Sequence, residues 1–347
     1  MSRLLIAGGG TGGHLYPGIA VAEEVKDRVD EILFLVTDRG LERRILSERG
    51  YSFIEQRQTP LKGTGVLRRI SSLMGLGMEF FRMLGVVKRG DKVLLTGGFA
   101  SAAPAAAALV KGAELYLHEQ NSVMGLTNKA FARFCRKVFL SFEETKEAKG
   151  RTVWTGNPVR KELAAFAPKE RSPEVILVLG GSQGSRFINT LVAKASPMLM
   201  EEGYTIVHQA GLKLLDETKL MYEENGVDPD RYPERIVLKG YINDMVEEYS
   251  KADIIIARSG SGSVFETVYS RRPAVFIPLK ASADNHQLYN ARYAEKLGVA
   301  RVLEEDGAEP ARLLEILHSL NSPEVFKSLS EVKYMRSAEM IAGGMNI

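Results

Sequence analysis

The sequence predicts an α/β fold made of two Rossmann-like domains that face each other across a cleft. An apolar run that breaks into glycines and resumes as a helix occurs twice, at residues 4–18 and 175–185. The other apolar runs are short and continuous, which is typical of strands buried on both faces of a parallel sheet. The length of 347 residues exceeds what one hydrophobic core usually serves.

The domain boundary is predicted near residue 158. The alternation of strands and helices pauses around residues 154–160, and the following stretch is rich in charge and proline. Linkers between domains commonly have this composition. We therefore expect an N-terminal domain over residues 1–158 and a C-terminal domain over residues 159–334.

The composition is that of an ordinary globular protein, with 45% apolar residues, 26% charged residues and a net charge of +3. This mild charge does not indicate a nucleic-acid binder. Cys135 is the only cysteine, so the chain has no internal disulfide. The N-terminal apolar run is too short for a signal peptide, and residues 93–110 contain glycines and a proline, so we predict an intracellular protein without a membrane span.

The first glycine turn is predicted to bind a phosphate or diphosphate, because glycines let main-chain amides approach a ligand and the next helix, expected over residues 19–29, presents its positive end. Gly8, Gly10 and Gly13 also match the dinucleotide fingerprint. A dehydrogenase would then use Asp38 for the ribose. Alternatively, Asp38 caps the helix that starts near Leu41.

Residues 61–92 are apolar almost all round, with basic residues at the edges. A surface that inserts into a bilayer, held against anionic headgroups, would explain both features. The alternative is a buried helical hairpin with solvated ends. The candidate membrane residues are Leu67, Ile70, Met74, Phe80, Phe81 and Leu84.

Polar clusters follow two further strands of the first half. Gly97, Gly98 and Ser101 form a second glycine turn, and residues 118–121 read His-Glu-Gln-Asn. Ligands bind at the carboxyl ends of parallel strands, so these clusters and the first turn are expected to converge on one cleft.

In the second half, residues 258–263 are predicted to form a loop that binds anionic oxygens through amides, hydroxyls and the start of a helix near Val264. Glu266 is expected in the first turn of that helix. Ser263 and Glu266 also have the spacing of a capping box, in which Glu266 would only satisfy a main-chain amide.

Six motifs together resemble the peptidoglycan N-acetylglucosaminyltransferases, a family of GT-B glycosyltransferases. They are Gly-Gly-Thr-Gly-Gly-His at residues 9–14 with its neighbouring glycine, His-Glu-Gln-Asn at 118–121, Gly-Asn-Pro-Val-Arg at 156–160, Gly-Gly-Ser-Gln-Gly at 180–184, the stretch 258–266, and His-Gln at 286–287. They occur in the family order over most of the chain.

The resemblance implies inverting transfer of N-acetylglucosamine from UDP-N-acetylglucosamine to the muramic acid C4 hydroxyl of lipid I, giving lipid II, with no covalent intermediate. It assigns the ribose hydroxyls to Glu266, uracil to the main chain of Ile242, and the diphosphate to Arg160 and Ser182. The residues implied to bind the donor are Thr11, Gly12, Gly13, Asn121, Arg160, Ser182, Ile242, Ser261, Gly262, Ser263, Val264, Phe265, Glu266 and Gln287.

An inverting transfer needs a base on the acceptor hydroxyl and a stabilised leaving group. His14 is the candidate base, because the helix N-terminus disfavours its charged form. It could equally bind a phosphate or order the loop, and Glu119 is the alternative base. Helix amides can stabilise the diphosphate, so we expect no cofactor and no metal, and Asp228-Pro229-Asp230 is interpreted as a solvated turn.

Two stretches depart from the family pattern. The second glycine turn continues Phe-Ala-Ser-Ala-Ala-Pro, which puts the predicted contact of Gly97, Gly98 and Ser101 with the acceptor diphosphate in doubt. The stretch 261–266 is glycine-rich where relatives often carry Leu-Thr-Val, so its flexibility and donor contacts can differ.

The lipid acceptor implies a peripheral enzyme on the cytoplasmic face of the plasma membrane, bound to an anionic surface. The resemblance also implies that a C-terminal helix, residues 335–347, packs back on the N-terminal domain. The alternatives are a GT-B transferase for another lipid such as a diacylglycerol, a nicotinamide dehydrogenase, or a protein that binds a UDP-sugar without turnover.

Overall fold

A computed structural model describes the chain except for Met1, Thr11, Arg39, residues 58–65, Arg171 and Ser182, and it leaves out the side chains of Leu41 and residues 66–73. The chain divides into two compact units. The first contains Met1–Val159 and Met335–Ile347, and the second contains Arg160–Tyr334.

In the described part of the first unit, seven parallel strands form a sheet in the order β3-β2-β1-β4-β5-β6-β7. The strands are β1 (Arg3–Gly8), β2 (Glu31–Thr37), β3 (Ser52–Gln56), β4 (Lys92–Gly97), β5 (Glu114–Glu119), β6 (Lys137–Leu140) and β7 (Thr152–Trp154). The helices are α1 (Gly12–Val25), α2 (Leu41–Glu48), α3 (Val66–Val86), α4 (Ala102–Lys111) and α5 (Leu126–Phe131).

The apolar strands of this sheet separate two cores. Leu5 and Leu95 belong to one cluster of buried residues, whereas their neighbours Leu4 and Leu94 belong to the other. Successive side chains of a strand point to opposite faces, so a continuous apolar run serves both cores at once. The predicted two-faced burial of these strands is confirmed.

In the second unit, the described strands form a parallel sheet in the order β10-β9-β8-β11-β12-β13. These are β8 (Val175–Leu179), β9 (Thr205–Gln209), β10 (Ile236–Lys239), β11 (Ile254–Ala257), β12 (Ala274–Phe276) and β13 (Ala300–Val302). The helices are α6 (Arg186–Glu201), α7 (Leu215–Glu224), α8 (Met245–Lys251), α9 (Ser261–Tyr269), α10 (His286–Lys296), α11 (Pro310–Leu320) and α12 (Pro323–Glu331).

The last helix, α13 (Ser337–Gly344), belongs to the first unit. Its Ile341 and Ala342, with Met345 beyond it, are buried in the same cluster as Ile19 of α1. The ammonium of Lys92 donates a hydrogen bond to the carbonyl of Met345 at 2.5 Å. The end of the chain therefore packs on the first sheet's helical layer.

Two helices begin earlier than the sequence indicated. α1 starts at Gly12 and not near residue 19, and α9 starts at Ser261 and not near Val264. Glycine and serine have low helix propensity, which hides a helix start in the sequence. The first residues after each glycine turn are therefore helical, and their amides point out of a helix N-terminus. None of the helices in the part of the chain that the structure describes is long and apolar enough to cross a membrane.

Candidate active site

Two glycine turns of the first unit touch each other at the carboxyl ends of β1 and β4. A Cβ added to Gly8 would lie 1.9 Å from the Thr96 hydroxyl oxygen, and one on Gly98, whose φ is 77°, would lie 2.5 Å from the carbonyl oxygen of Gly9. Side chains cannot fit at such distances. The turns therefore form one glycine-lined surface.

Ser101 connects these two turns through buried hydrogen bonds of its hydroxyl group. Its side chain is completely buried, and its hydroxyl lies 2.8 Å from the carbonyl oxygen of Ala7 and 2.9 Å from that of Gly97. A hydroxyl buried between two carbonyls cannot also reach a ligand. The predicted acceptor contact of Ser101 is thus wrong, whereas Gly97 and Gly98 line the end of β4.

His14 lies in the first turn of α1, against the end of β4. Its Nδ1 is 2.9 Å from the carbonyl oxygen of Thr96 and 3.3 Å from Oε1 of Gln120. Burial lowers the pKa of His14 below its ordinary value, although both hydrogen bonds and the Glu42 carboxylate oppose this shift. The side chain is only half-buried, so a neutral imidazole is held at the surface.

Glu119 is the last residue of β5, and its side chain is 1% exposed. Its carboxylate accepts hydrogen bonds from the amides of Asn121 at 3.0 Å and Gly125 at 3.0 Å, and from the Asn128 side chain at 2.7 Å. Burial raises the pKa of Glu119, and these hydrogen bonds oppose the rise. Both oxygens are engaged in organising the turn after β5, which favours His14 over Glu119 as the base. Asn121 is half-buried in that turn.

Glu42 is a site residue that sequence reasoning missed. It is 2% exposed, and its Oε1 accepts hydrogen bonds from the amide of Gly10 at 2.6 Å and the hydroxyl of Thr37 at 2.9 Å. The cap of α2 is Gly40, so the predicted capping role of Asp38, which is exposed, is wrong. The contact between Glu42 and Gly10 spans 32 residues, so local sequence offered no signal for it.

In the second unit, α9 begins directly after β11 with Gly260 as its cap. The amides of Ser261, Gly262 and Ser263 precede the first intrahelical bond, from Val264 to Gly260. Such amides suit an anion. The side chains of Val264 and Phe265 are buried, with the Phe265 ring 5.7 Å from the ring of Tyr269, so these two residues contribute to the core.

Glu266 pairs with Arg160 and accepts a hydrogen bond from the Tyr249 hydroxyl at 3.2 Å. Burial raises the pKa of Glu266, while Arg160 and Tyr249 act in the opposite direction. Because the cap of α9 is Gly260, the capping-box alternative for Ser263 and Glu266 is wrong. Tyr249, which lies far from these residues in the sequence, was missed.

Gln209 connects two further predicted donor residues. Its Oε1 accepts a hydrogen bond from the amide of Ile242 at 3.2 Å, and its amide nitrogen donates to Gly181 at 3.0 Å. The main-chain amide of Ile242 therefore already donates a hydrogen bond, and its main-chain carbonyl is the group that remains for a nucleobase. Gln287 accepts a hydrogen bond from the amide of Leu279 at 3.0 Å, and its own NH2 group has no partner among the described residues.

The remaining predicted residues either lie outside the described part of the chain or form local structure within one unit. Thr11 and Ser182 lie outside the described residues. Gly12 and Gly13 form the start of α1 in the first unit, and Asp228 accepts a hydrogen bond from the amide of Asp230 at 2.9 Å within an exposed turn.

The exposed face of α3 differs in part from the predicted patch. Met74, Met78 and Phe81 are 67%, 70% and 72% exposed, at i, i+4 and i+7 spacing. Phe80 and Leu84 are partly buried and pack against the core, and Met78, which is exposed, was not among the candidate membrane residues. The side chains of Leu67 and Ile70 lie outside the described residues.

The two parallel-sheet units, with glycine turns at the carboxyl ends of their strands, have the architecture of the GT-B glycosyltransferases. Residues 4–140 match the description "Glycosyltransferase family 28 N-terminal domain", and residues 175–340 match "Glycosyltransferase family 28 C-terminal domain". The chain belongs to glycosyltransferase family 28.

Individual relatives agree with this assignment. A protein of Geotalea uraniireducens named UDP-N-acetylglucosamine–N-acetylmuramyl-(pentapeptide) pyrophosphoryl-undecaprenol N-acetylglucosamine transferase is 39% identical over 83% of this chain and 81% of its own length. A protein of the same name from Citrifermentans bemidjiense is 35% identical over 99% of both chains. The crystal structure of Acinetobacter baumannii MurG matches 99% of both chains with a TM-score of 0.77 at 25% identity.

Proposed function

We propose that this protein transfers N-acetylglucosamine from UDP-N-acetylglucosamine to the C4 hydroxyl of the muramic acid in lipid I, forming lipid II. The observation that carries the proposal is the grouping of Arg160 and Glu266 near the start of α9. This grouping offers a cation and helix amides for a diphosphate, together with a carboxylate for ribose hydroxyls. The names of the relatives support the identity of both substrates.

The donor binds to the second unit in this proposal. The free amides of Ser261, Gly262 and Ser263 take the diphosphate, assisted by Arg160. Glu266 accepts hydrogen bonds from the ribose hydroxyls, and the carbonyl of Ile242 meets uracil. The NH2 group of Gln287, which lies on α10, donates to the sugar.

The reaction is a single displacement with inversion. The acceptor oxygen forms a bond to the anomeric carbon while the bond from that carbon to the UDP oxygen breaks. His14 takes the proton of the acceptor hydroxyl, since its neutral imidazole is half-buried at the glycine-lined surface. The amides of α9 and the guanidinium of Arg160 stabilise the negative charge that develops on the leaving diphosphate.

The acceptor brings the enzyme to a membrane. Met74, Met78 and Phe81 form an exposed apolar face on α3, and the exposed cations Arg82, Lys88 and Arg89 follow it. Apolar side chains can enter the headgroup region while the cations meet anionic lipids. We propose a peripheral association with the cytoplasmic face of the plasma membrane through this face.

The test is the release of UDP from UDP-N-acetylglucosamine by the purified protein, with and without a lipid I analogue, in the presence of a chelator. We expect release that depends on the analogue and continues with the chelator. Binding of the donor without release would indicate a binding protein. Release that depends on a diacylglycerol would assign a different acceptor, and binding of NADH at the first glycine turn would indicate a dehydrogenase.

A further inference from the structure

The hydrogen-bond partners of His14 define which ring nitrogen carries its proton. The nearest partner of Nδ1 is the carbonyl oxygen of Thr96 at 2.9 Å. A main-chain carbonyl only accepts hydrogen bonds, so Nδ1 must be the donor. A neutral imidazole has a single N–H group, and the lone pair of His14 is therefore on Nε2.

The second partner, Gln120, has its amide orientation determined by its own contacts. Its nitrogen lies 2.7 Å from the carbonyl oxygen of Thr96 and 3.1 Å from that of His118. Only an NH2 group can satisfy two carbonyls, so Oε1 is the atom that faces Nδ1 of His14 at 3.3 Å. Gln120 is 1% exposed, which leaves the amide no alternative partner in solvent.

The same logic continues through the buried side chains behind Gln120. Its nitrogen is 3.2 Å from Nδ1 of His118, and burial lowers the pKa of His118 to about 3, so this imidazole is neutral. The amide nitrogen of Gln120 has no lone pair that can accept a hydrogen bond, so Nδ1 of His118 carries no hydrogen. Nε2 therefore carries it and lies 3.0 Å from the Ser141 hydroxyl, and His118 also forms a hydrogen bond with the main chain of Gly156. Ser141 in turn donates to Oδ1 of Asn157 at 3.4 Å.

We infer that Gln120, whose Oε1 faces Nδ1 beside the carbonyl of Thr96, is a positioning residue that supports the Nδ1–H tautomer of His14, so that Nε2 is the atom that receives the proton of the acceptor hydroxyl. The inference rests on the proposed function for the identity of that hydroxyl, but not for the tautomer. The titratable groups that face His14 are Glu42, which favours its charged form, and neutral His118. When Nε2 takes the proton, the carbonyl dipoles of Gln120 and Thr96 stabilise the resulting imidazolium.

The direct test is a nitrogen NMR spectrum of the full chain labelled at its 5 histidines, with the His14 signals assigned from the spectrum of His14→Gln. We expect the Nδ1–H tautomer for His14 and the Nε2–H tautomer for His118. In Gln120→Leu, Nδ1 loses one of its two acceptors and keeps the Thr96 carbonyl, so the Nε2–H share of the His14 signals should rise above that of the wild type while Nδ1–H remains the major tautomer. A wild-type His14 that carries its hydrogen on Nε2 would overturn the inference, whether or not the protein proves to be a transferase.

The kinetic test separates positioning from a structural effect. Gln120→Leu should lower kcat about tenfold to hundredfold with a nearly unchanged KM for UDP-N-acetylglucosamine. Loss of the Gln120 acceptor should lower the pKa of His14, so the acidic limb of the kcat–pH profile should move to lower pH in Gln120→Leu. In Gln120→Glu, the added carboxylate should raise this pKa, so the limb should move to higher pH.

Gln56→Leu is the matched control, because Gln56 is also buried and its amide donates to the carbonyl of Ala100 at 2.9 Å. It should cost stability without moving the acidic limb. If both Gln120 variants share the wild-type limb, or both move it in the same direction, the positioning role is wrong. If the wild type shows no transfer, the proposed function fails and the NMR result alone decides the tautomer.

Discussion

Arg160 and Glu266 form an ion pair in the second unit, although they are 106 residues apart in the sequence. In the proposed function, Arg160 binds the diphosphate and Glu266 binds the ribose, so without the donor these two side chains are partners of each other. In this proposal, the ribose hydroxyls of the bound donor replace the Arg160 guanidinium as the partner of Glu266. The diphosphate replaces the Glu266 carboxylate as the partner of Arg160. Neither charge is left buried without a partner, which is the condition under which such an exchange costs little.

Substitution of Glu266 should therefore weaken UDP binding. In Glu266→Ala, the loss of a charged acceptor for ribose hydroxyls should reduce affinity about 10- to 100-fold, and Glu266→Gln should lie between this variant and the wild type. Titration calorimetry with UDP measures the effect. Glu247→Ala, which removes an exposed carboxylate paired with the exposed Lys251 on α8, is the control. Equal affinity for UDP in Glu266→Ala and the wild type would exclude the ribose contact.

His14→Ala should lower turnover with little change in donor affinity. A positioned base contributes about 10²- to 10⁴-fold to a rate, and His14 does not belong to the unit that binds the donor in our proposal. Initial rates of UDP release and UDP affinity are measured in parallel. His318→Ala, at an exposed histidine beside Glu202, provides the control. Turnover near that of the wild type in His14→Ala would remove His14 as the base.

Phe81→Asp should reduce binding to anionic vesicles. The ring is 72% exposed and its centroid lies 5.4 Å from that of Phe80, so a charge there removes one ring contact and opposes insertion into headgroups. Cosedimentation with vesicles of phosphatidylglycerol measures binding, and melting temperature reports the fold. Leu220→Asp, at a side chain of α7 that is 57% exposed in the other unit, should bind as the wild type does. Similar losses in both variants would contradict a specific role for α3.

His208 should make stability depend on pH. Burial lowers the pKa of His208 from 6.5 to about 3, so the folded state binds fewer protons than the unfolded state between these values. Its contribution is complete above about pH 6.5 and decreases as the pH falls, by up to about 1.4 kcal/mol per pH unit. The difference in unfolding free energy between the wild type and His208→Gln should therefore shrink from pH 7 to about pH 4.5.

Urea denaturation across this range provides the measurement. Tyr222→Phe removes a hydrogen-bond partner of the same imidazole, 3.0 Å from Nδ1, without removing the titrating group. Its difference from the wild type should stay constant. A constant difference for His208→Gln as well would show that folding does not lower the pKa of this histidine.

Patterns within a few residues predicted much of this structure. The runs around Leu5, Leu95 and Ile255 read as buried strands because each is apolar on both faces, and glycines marked the turns that follow them. By contrast, β7 was missed, because its three residues are all exposed and lack any apolar alternation. The start of α9 was placed three residues late, since its glycine and serines are weak helix formers.

The amino-acid order was enough to establish the α/β class, the glycine turns, the family resemblance and the residue types available for the chemistry, because each depends on local pattern or on motif identity. It could not establish that Ser101 faces inward, that Met78 replaces Phe80 on the outer face of α3, or that Glu42, Gln120 and Tyr249 support the predicted site. Those relationships join residues on different strands and helices. They exist only once the sheets bring distant segments within hydrogen-bond distance, and burial then leaves each polar group with a single set of partners.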